Sequence, residues 1–546
     1  MTMKHLYSLL IICLAVVMIT VNPLMGQMNA EERPTSQSTN ANKTENRYGG
    51  IYRAPLLNNP STLDPAYVQD MYGVTVVQQL FDGLVQFSPD LFVIPALAEN
   101  WQAEESGKVY RFRLRNDAHF HNGRKIVSHD IIFSLTRLFR IDPPPAILPH
   151  LLRISGAKEY AEKKLETISG LTAVDDRTLV IRLEEPYAPF LIALGMYQAK
   201  IVPAEELEKG EDYFAHHPVG SGPFKFSSWE ENEKIKLEKF SDYYAGSPYL
   251  DGIDFFIYPG GQLDEVFADF QKNVLDEMPV YGKIRERLAV DKNIKMIHRP
   301  SLSLLFYGFN CQNPRFKDPR IRKELSEALD RQELVSQIYR GQFEIARSII
   351  PPGLPGYLPE NERIEREKRR RFKDPGAQVS EELKKIGPVE IVSNVQSPFS
   401  QAELNYVREC WARLGISTDI KYITNWAEFE RYLKSDGLQI FRYAWFADIP
   451  DPDNFLQPLF ASDSQNNFMR YKDNKVDKML RDAVGMLDPI ARAEMYQQLQ
   501  RTILDSVPII PLLYLSVDSA YQPFVQGIQV SPLGAHTMSY HRVWVK

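Results

Sequence analysis

The chain has 546 residues, 44% hydrophobic and 25% charged, which is the composition of a soluble globular protein. A chain of this length exceeds one ordinary domain and predicts two or three lobes with large cores. The first 26 residues hold one Lys and no acid, so the remainder carries 63 basic and 70 acidic side chains, a formal charge of −7. That weak acidity argues against a nucleic-acid partner, which needs a basic face.

The amino-terminal segment has the pattern of an export signal. Lys4 precedes the apolar run Leu6–Val21, and Asn22-Pro23 breaks it, as in a secretory signal peptide. The run also approaches the length of a spanning helix, so residues 1–26 are predicted to be either a cleaved signal or a retained anchor. Residues 27–47 are polar and low in apolar content, which predicts a flexible tether.

Two cysteines, Cys311 and Cys410, lie outside the apolar segment. Such a distant pair makes neither a disulfide framework nor a metal site. A single bridge is compatible with an oxidising compartment, and two buried thiols are the other interpretation. The sequence leaves both open.

Hydrophobic periodicity predicts strands that alternate with helices along the chain. The predicted elements are, in chain order, strand 48–57, helix 74–84, strand 109–114, a helix capped by residue 128, strands 179–183 and 304–310, helices that begin at 319 and 331, strand 389–392, helix 402–414, strand 417–422, a strand through 441, a helix from 489 and strand 509–516. This alternation in both halves predicts an α/β fold of two lobes with mixed sheets. We expect the chain to pass between the lobes twice, near 304–309 and 508–515.

Sequence patterns of enzymes and metal sites are missing: there is no G-x-S-x-G, H-E-x-x-H or CxxC. His119 and His121 have no third ligand nearby. Asp448, Asp451 and Asp453 have the spacing of a loose calcium loop, but its Gly and closing Glu are absent. We therefore predict no catalytic residues, no metal site and no cofactor.

The stretch 441–455, FRYAWFADIPDPDNF, combines an aromatic strand with a loop of prolines and acids. Prolines cannot continue the strand, so Asp448 is expected at its exit. If the strand extends to residue 448, every second side chain lies on the same face of the sheet. The side chains on that face are Arg442, Ala444, Phe446 and Asp448. At roughly 3.3 Å per residue, Arg442 and Asp448 lie up to about 20 Å apart. Opposite charges at this spacing suit the two ends of one zwitterion, and two unrelated surface charges are the other interpretation.

Several blocks of the sequence resemble the family 5 solute-binding proteins, the dipeptide and oligopeptide receptors of bacterial ABC importers. WFAD at 445–448 resembles the Trp-x-x-Asp turn that ends an aromatic cleft strand in that family. The other blocks, in order, are TLDP…QLFDGLV…IPALAENW at 62–101, VYRFRL…HFHNG at 109–123, PVGSGPFKFSSW at 218–229 and FNCQ…DPRIR at 309–322. The resemblance covers essentially all of 48–546.

The resemblance implies a two-lobed periplasmic-binding-protein fold of type II, in the large peptide-binding subclass, with mixed sheets and a hinge crossed twice. The expected domains are the signal or anchor 1–26, the tether 27–47, lobe I at 48–304 and 510–546 with an inserted subdomain at about 80–215, and lobe II at 305–509.

It further implies a receptor, not an enzyme, that captures short peptides between two closing lobes and delivers them to the permease subunits of an ABC transporter. The expected protein is a monomer in the periplasm or another extracytoplasmic space, tethered if the amino terminus is retained. Other members of the family take nickel, haem, opines or oligosaccharides. An oligosaccharide or another small solute therefore stays as the alternative ligand, and a peptide-binding adhesin or chaperone as the alternative role.

By the same resemblance, the ligand's ammonium is expected at Asp448 and its carboxylate at Arg442, whose planar fork suits a carboxylate. An extended peptide pairs its backbone with strand edges. Here those edges are expected at Ala444 and Phe446 in one lobe and at the loop Gln69, Asp70 and Met71 in the other. Trp445 is expected to be either a core residue or the stacking wall of a side-chain pocket.

Overall fold

The computed structural model of the protein describes residues 47–359 and 380–546. The predicted signal or anchor and all but the last residue of the predicted tether lie outside the described residues. Within the two described ranges, no helix is both long and apolar enough to cross a membrane.

Twenty-one strands form six sheets in the described ranges. In chain order they are β1 (Ile51–Leu56), β2 (Val85–Phe87), β3 (Val93–Pro95), β4 (Ala98–Glu104), β5 (Val109–Leu114), β6 (Leu171–Asp175), β7 (Thr178–Arg182), β8 (Phe224–Glu230), β9 (Lys234–Lys239), β10 (Gly252–Ile257), β11 (Glu277–Pro279), β12 (Lys295–Pro300), β13 (Ser303–Phe309), β14 (Glu344–Ile345), β15 (Val389–Ser393), β16 (Thr418–Tyr422), β17 (Ile440–Phe446), β18 (Ile509–Tyr514), β19 (Ser516–Tyr521), β20 (Val525–Gln526) and β21 (Trp544–Val545).

Helices alternate with these strands, as the periodicity predicts. The α-helices span Met71–Leu80, Ser128–Arg137, Leu148–Leu151, Ala157–Ala161, Phe190–Ala193, Ala204–Leu207, Glu211–His216, Leu263–Gln271, Gly282–Ala289, Pro319–Glu327, Arg331–Gln337, Glu381–Lys384, Pro398–Ala412, Trp426–Leu433, Asp453–Phe460, Asn474–Gly485 and Pro489–Ser506.

The largest sheet has six strands in the order β14-β18-β13-β17-β15-β16 and mixes parallel with antiparallel pairs. Its centre is β13, in which every residue is buried. One side of this sheet packs on a core that contains Phe441 and Tyr443, and the other on a core that contains Tyr307 and Trp411. Burial on both faces explains why the sequence of β13 is a continuous apolar run rather than an alternating one.

The other large sheets belong to the amino-terminal half. A four-stranded sheet has the order β1-β10-β9-β8, and a second one, β4-β5-β7-β6, forms the core of the predicted inserted subdomain. A three-stranded sheet, β11-β19-β12, lies between these and the six-stranded sheet in the chain path. Mixed sheets of this kind confirm the predicted α/β class.

The chain passes twice between the three-stranded and the six-stranded sheet. One passage runs from β12 to β13, and the other from β18 to β19. They lie side by side, because the N–H of Ser301 donates to the carbonyl of Leu515 at 2.8 Å and the N–H of Leu515 donates to Oγ of Ser303 at 3.0 Å. The described residues form one compact unit, so the two-lobe division and its limits stay a prediction about how this unit moves.

Helix starts follow the predicted capping residues closely. Asp318, Asp330 and Asp488 each accept hydrogen bonds from the first turn of the following helix. The prediction that Ser128 caps its helix is wrong by one position. The helix begins at Ser128, and the N–H of the capping residue Val127 donates to the side chain of Asp130 at 2.8 Å.

Candidate functional site

The candidate site begins at β17, whose two edges are paired to different lengths. The antiparallel partner β13 accompanies it along its whole length, from Ile440 to Phe446. The parallel partner β15 pairs only with residues 440–442, because β15 ends at Ser393. In the described ranges no strand lies beside residues 443–446 on this second edge.

The backbone groups that point to the open edge can be assigned from the register. Residues of an antiparallel strand alternate between hydrogen bonding to one side and to the other. The N–H of Ala447 donates to Leu302 and the carbonyl of Gln439 accepts from Asn310, each at 2.9 Å, so odd-numbered residues bond to the β13 side. The N–H and carbonyl groups of Ala444 and Phe446 therefore point to the open edge, which is where the sequence predicted backbone groups for a ligand.

The side chain of Arg442, on the same strand, lies inside the protein and is 8% exposed. Its Nε and Nη2 donate to the carboxylate of Glu403 at 2.9 and 2.8 Å. The hydroxyl of Tyr307 donates to the same carboxylate at 2.6 Å, and so does that of Tyr339. The charge of Arg442 is thus balanced inside the protein, and its expected role toward a ligand carboxylate stays a prediction.

Asp448 follows β17 at the end of the open edge. Its N–H donates to Oδ1 of Asn454 at 3.0 Å, which fixes the turn. Its side chain is accessible to water, yet the surrounding protein raises the pKa of its carboxyl, and hydrogen bonding by Asn454 lowers it in part. Accessibility together with desolvation is the property of a side chain inside a concave site rather than on open surface.

A cavity of about 240 Å³ borders Asp448. Its described lining comes from three other parts of the chain: the hairpin β2–β3 with the end of the helix before it, residues 195–197, and the carboxyl-terminal segment 527–542. Asp448 is therefore the point at which the strand β17 meets the amino-terminal half of the molecule.

The loop Gln69–Met71 approaches the same region. The pKa of the Tyr197 hydroxyl is raised to about 12, first by burial and then by the charges of Asp448 and Asp70. Asp70 itself caps the helix Met71–Leu80, since its Oδ1 accepts the N–H of Gly73 at 2.8 Å. Gln69 is exposed, and so is Met71. Their contact with a ligand stays a prediction.

Trp445 is half-buried against the core that contains Phe441. Its Nε1 donates to the carbonyl of Asn454 at 2.8 Å. Asn454 therefore joins Trp445 to the turn of Asp448, so that the ring braces the turn. Whether its open face also contacts a ligand side chain stays a prediction.

Asp451, the next carboxylate after Asp448, is held in an ion pair inside the protein. Both oxygens of Asp451 accept from Arg492, at 2.7 and 2.8 Å. No group of three or more metal-ligating side chains occurs in the part of the chain that the structure describes. His121 is also occupied, because its ring nitrogens contact the carbonyl of Gly222 at 3.0 Å and the N–H of Gly220 at 3.2 Å.

Sequence reasoning missed Glu403, Tyr197 and the cavity. Glu403 lies 39 residues before Arg442, and the signal that marks it is a lone acid among the buried positions of the helix Pro398–Ala412. Tyr197 and the cavity lining have no motif, since they come together only through the fold.

Comparison with known proteins identifies the family. Residues 93–467, more than half of the chain, match the model of the bacterial extracellular solute-binding proteins, family 5 Middle. The dipeptide-binding protein of Escherichia coli is 28% identical over 84% of this chain and 88% of its own, and haem-binding protein A of Haemophilus influenzae is 27% identical over 93% and 94%.

Solved structures share the fold. The periplasmic binding protein DppA of Helicobacter pylori, in complex with the peptide STSA, superposes with a TM-score of 0.71 and 25% identity over 92% of this chain and 100% of that one. An unliganded open form of the murein tripeptide-binding protein MppA gives a TM-score of 0.76 at 21% identity, over 91% and 97%. The predicted fold class is thereby confirmed, and the chain belongs to the bacterial extracellular solute-binding proteins of family 5.

Proposed function

We propose that this protein is an extracytoplasmic receptor that captures short peptides between two closing lobes and delivers them to the permease of an ABC transporter. The observation that carries the proposal is the open edge of β17, which ends at Asp448. The relatives whose names state a peptide ligand support the same class.

An extended peptide adds to the open edge as a further strand. The N–H and carbonyl groups of Ala444 and Phe446 pair with its backbone, which gives affinity regardless of side-chain identity. The ligand's ammonium then meets the carboxylate of Asp448. Because that carboxylate is partly desolvated, an ammonium that joins it restores the charge compensation that water supplies elsewhere.

The carboxylate end of the ligand runs toward Arg442 in this arrangement. Arg442 already shares two hydrogen bonds with Glu403, so a second carboxylate there competes with an existing one. Arg442 is therefore proposed as the weaker of the two anchors, at the point where β15 closes the open edge of β17.

The two strand passages at Ser301 and Leu515 are the proposed hinge between the predicted lobe I (48–304 and 510–546) and lobe II (305–509). The second limit is moved here from 510 to 515, because β18 pairs with β13 in the six-stranded sheet. Closure about two adjacent passages buries a ligand between lobes without breaking either core. The receptor performs no chemistry on its ligand, acts as a monomer, and is held at the membrane if its amino-terminal segment is retained.

The decisive experiment is mass spectrometry of the small molecules released from purified, acid-denatured protein. We expect short peptides with free amino termini. Recovery of a sugar or a metal chelate alone overturns the proposal. Incubation with such peptides is expected to raise the melting temperature without releasing cleavage products, whereas a peptidase produces fragments.

An oligosaccharide is the second candidate, and one observation favours it. The cavity beside Asp448 is lined by the amides of Gln78, Gln86 and Gln529 and by the ring of Phe87, a combination that also suits sugar hydroxyls and ring faces. A carboxylate beside an open strand edge has no comparable use in a neutral sugar site, which is why the peptide reading is preferred.

A further inference from the structure

Ile449, the residue that follows Asp448, is buried in a core of the amino-terminal half of the chain. Its side chain is 1% exposed and packs in a cluster whose other buried members, among the described residues, all lie between 66 and 201. That cluster surrounds the sheet β4-β5-β7-β6 of the predicted inserted subdomain in lobe I. Ile449 itself belongs to the predicted lobe II. The residue next to the proposed ammonium anchor is therefore held by the other predicted lobe.

The helix Asn474–Gly485 makes a second contact with the same subdomain. Val484 packs against the same cluster, and its carbonyl accepts the N–H of Ala188 at 2.7 Å. The neighbouring Tyr187 is 6% exposed. Burial raises the pKa of its hydroxyl, and the charge of Asp453 raises it further. The subdomain is thus docked on the predicted lobe II close to the turn that ends β17.

The position of Asp448 depends on how firmly Ile449 is held. The Asp448 side chain is exposed, and its backbone N–H donates to Oδ1 of Asn454. On its carboxyl side the backbone is fixed, because the carbonyl of Ile449 accepts the N–H of Asp451 at 2.8 Å. Pro450 between them is buried, and its ring fixes φ. The burial of Ile449 therefore restrains the backbone from which the Asp448 carboxylate extends.

The core that receives Ile449 also carries the wall that faces Asp448. Met196 belongs to the same cluster, and residues 195–197 line the cavity beside Asp448. The hydroxyl of Tyr197 has a raised pKa, first through burial and then through the charge of Asp448. One core thus places both the carboxylate and the wall opposite it. A loss of packing at Ile449 is expected to change their spacing.

We propose that Ile449 is a positioning residue for the ligand's ammonium: its insertion into the core of the inserted subdomain holds the Asp448 carboxylate where the ammonium binds. This rests on the proposed function and deepens it, because the amine site is then built by both lobes rather than by β17 alone. The Ile449 side chain is enclosed by protein and acts on the ligand only through Asp448.

The test is calorimetric titration of the purified, ligand-free protein with Ala-Ala-Ala and with N-acetyl-Ala-Ala-Ala, the weaker peptide by competition. The ratio of the two affinities measures the preference for a free amine. We expect Ile449→Ala to lower this ratio about tenfold, a part of the roughly 10²–10³-fold that loss of the whole charge pair costs. The affinity for the acetylated peptide should hardly change.

Two further variants separate positioning from packing. Ile449→Val keeps most of the buried side chain, so its ratio is expected to lie within about threefold of the wild type. Ile168→Ala is the matched control, because Ile168 is 4% exposed in the same core and loses the same atoms. It is expected to lower the urea midpoint as a core truncation does and to leave the ratio unchanged.

Val484→Ala weakens the same docking at a half-buried position and is expected to lower the ratio about threefold. It decides the matter if Ile449→Ala does not fold.

Each outcome decides a different claim. The role of Ile449 is overturned by an unchanged ratio in the deciding variant, by an equal loss of affinity for both peptides, or by a ratio that falls as far in Ile168→Ala. These results leave peptide capture standing. A wild type that binds both peptides equally removes the ammonium anchor together with the role of Ile449. A wild type that binds neither peptide overturns the proposed function itself.

Discussion

Glu403 holds Arg442 through two hydrogen bonds, from Nε at 2.9 Å and from Nη2 at 2.8 Å. The carboxylate is fully buried and also accepts from Tyr307 and Tyr339. Removal of one charge from a buried pair leaves the other uncompensated, which costs about 3–5 kcal/mol. We expect Glu403→Gln to lower the free energy of unfolding in urea by about that amount.

Glu409→Gln provides the control, since Glu409 is exposed on the same helix. It is expected to change stability by less than about 0.5 kcal/mol. If both variants unfold at the same urea concentration, the pair does not stabilise the sheet.

Asp448 is the proposed anchor for the ligand's ammonium. Loss of one partner of such a pair costs about 3–5 kcal/mol. Asp448→Asn is therefore expected to lower the affinity for peptides with a free amino terminus by roughly 10²–10³-fold or more. Calorimetric titration with one tripeptide and its N-acetyl form measures this.

The acetylated form carries no ammonium, so its affinity for the wild type should already be low and should hardly change in the variant. Asp463→Asn, at an exposed acid of the same lobe, is the matched control. An unchanged affinity of the free-amine peptide for Asp448→Asn would remove this residue from the site.

The open edge of β17 predicts a backbone-specific effect at Phe446, whose side chain is 57% exposed. Phe446→Pro removes an N–H that points to the open edge and breaks no bond to β13. Loss of one hydrogen bond to a peptide costs roughly 0.5–1.5 kcal/mol, or about 2- to 12-fold in affinity.

Phe446→Ala separates the backbone from the side chain, because it keeps the N–H. We expect Phe446→Pro to bind peptides more weakly than Phe446→Ala, with both melting within a few degrees of the wild type. Equal affinities for the two variants would mean that no ligand strand pairs at this position.

Asp453 makes stability depend on pH. Burial, and then the charge of Asp451, raise the pKa of its carboxyl from 3.8 to about 7, and Arg492 and Arg153 lower it in part. The folded protein therefore keeps a proton that the unfolded chain releases, so stability falls as the pH rises from 4 to 7. Above pH 7 both states are ionised and the loss is complete.

Asp453→Asn removes this titration. We expect its stability advantage over the wild type to grow by about 1.4 kcal/mol per pH unit across that window, measured by urea unfolding at pH 5, 6, 7 and 8. Asp505→Asn, at an exposed acid, is expected to show no such growth. A constant difference at all four pH values would contradict the buried, protonated state.

Local chemistry made much of the fold predictable. Asp318-Pro319 and Asp488-Pro489 mark helix starts because an Asp at the cap and a Pro at the first position act without tertiary help. The parity of Ala444 and Phe446 follows from strand geometry alone and survives in the register with β13.

Long-range partners were not predictable in this way. Arg442 pairs with Glu403 because the helix that carries Glu403 covers the six-stranded sheet. The spacing of residues within that helix or within β17 does not predict this contact. The cavity likewise combines residues 78–94, 195–197 and 527–542 with Asp448. The sequence therefore predicted the position of Asp448 at the exit of its strand, and tertiary packing brought the other parts of the cavity lining to it.

The early end of β15 at Ser393 has a consequence for the empty receptor. Because β17 continues for four residues beyond its last pair with β15, it leaves an unpaired margin that can recruit any extended chain that reaches it. A bound peptide that pairs with this margin also covers its free N–H and carbonyl groups. We therefore expect the ligand-bound protein to self-associate less than the ligand-free protein. The extent of self-association then measures the fraction of the protein that carries a ligand.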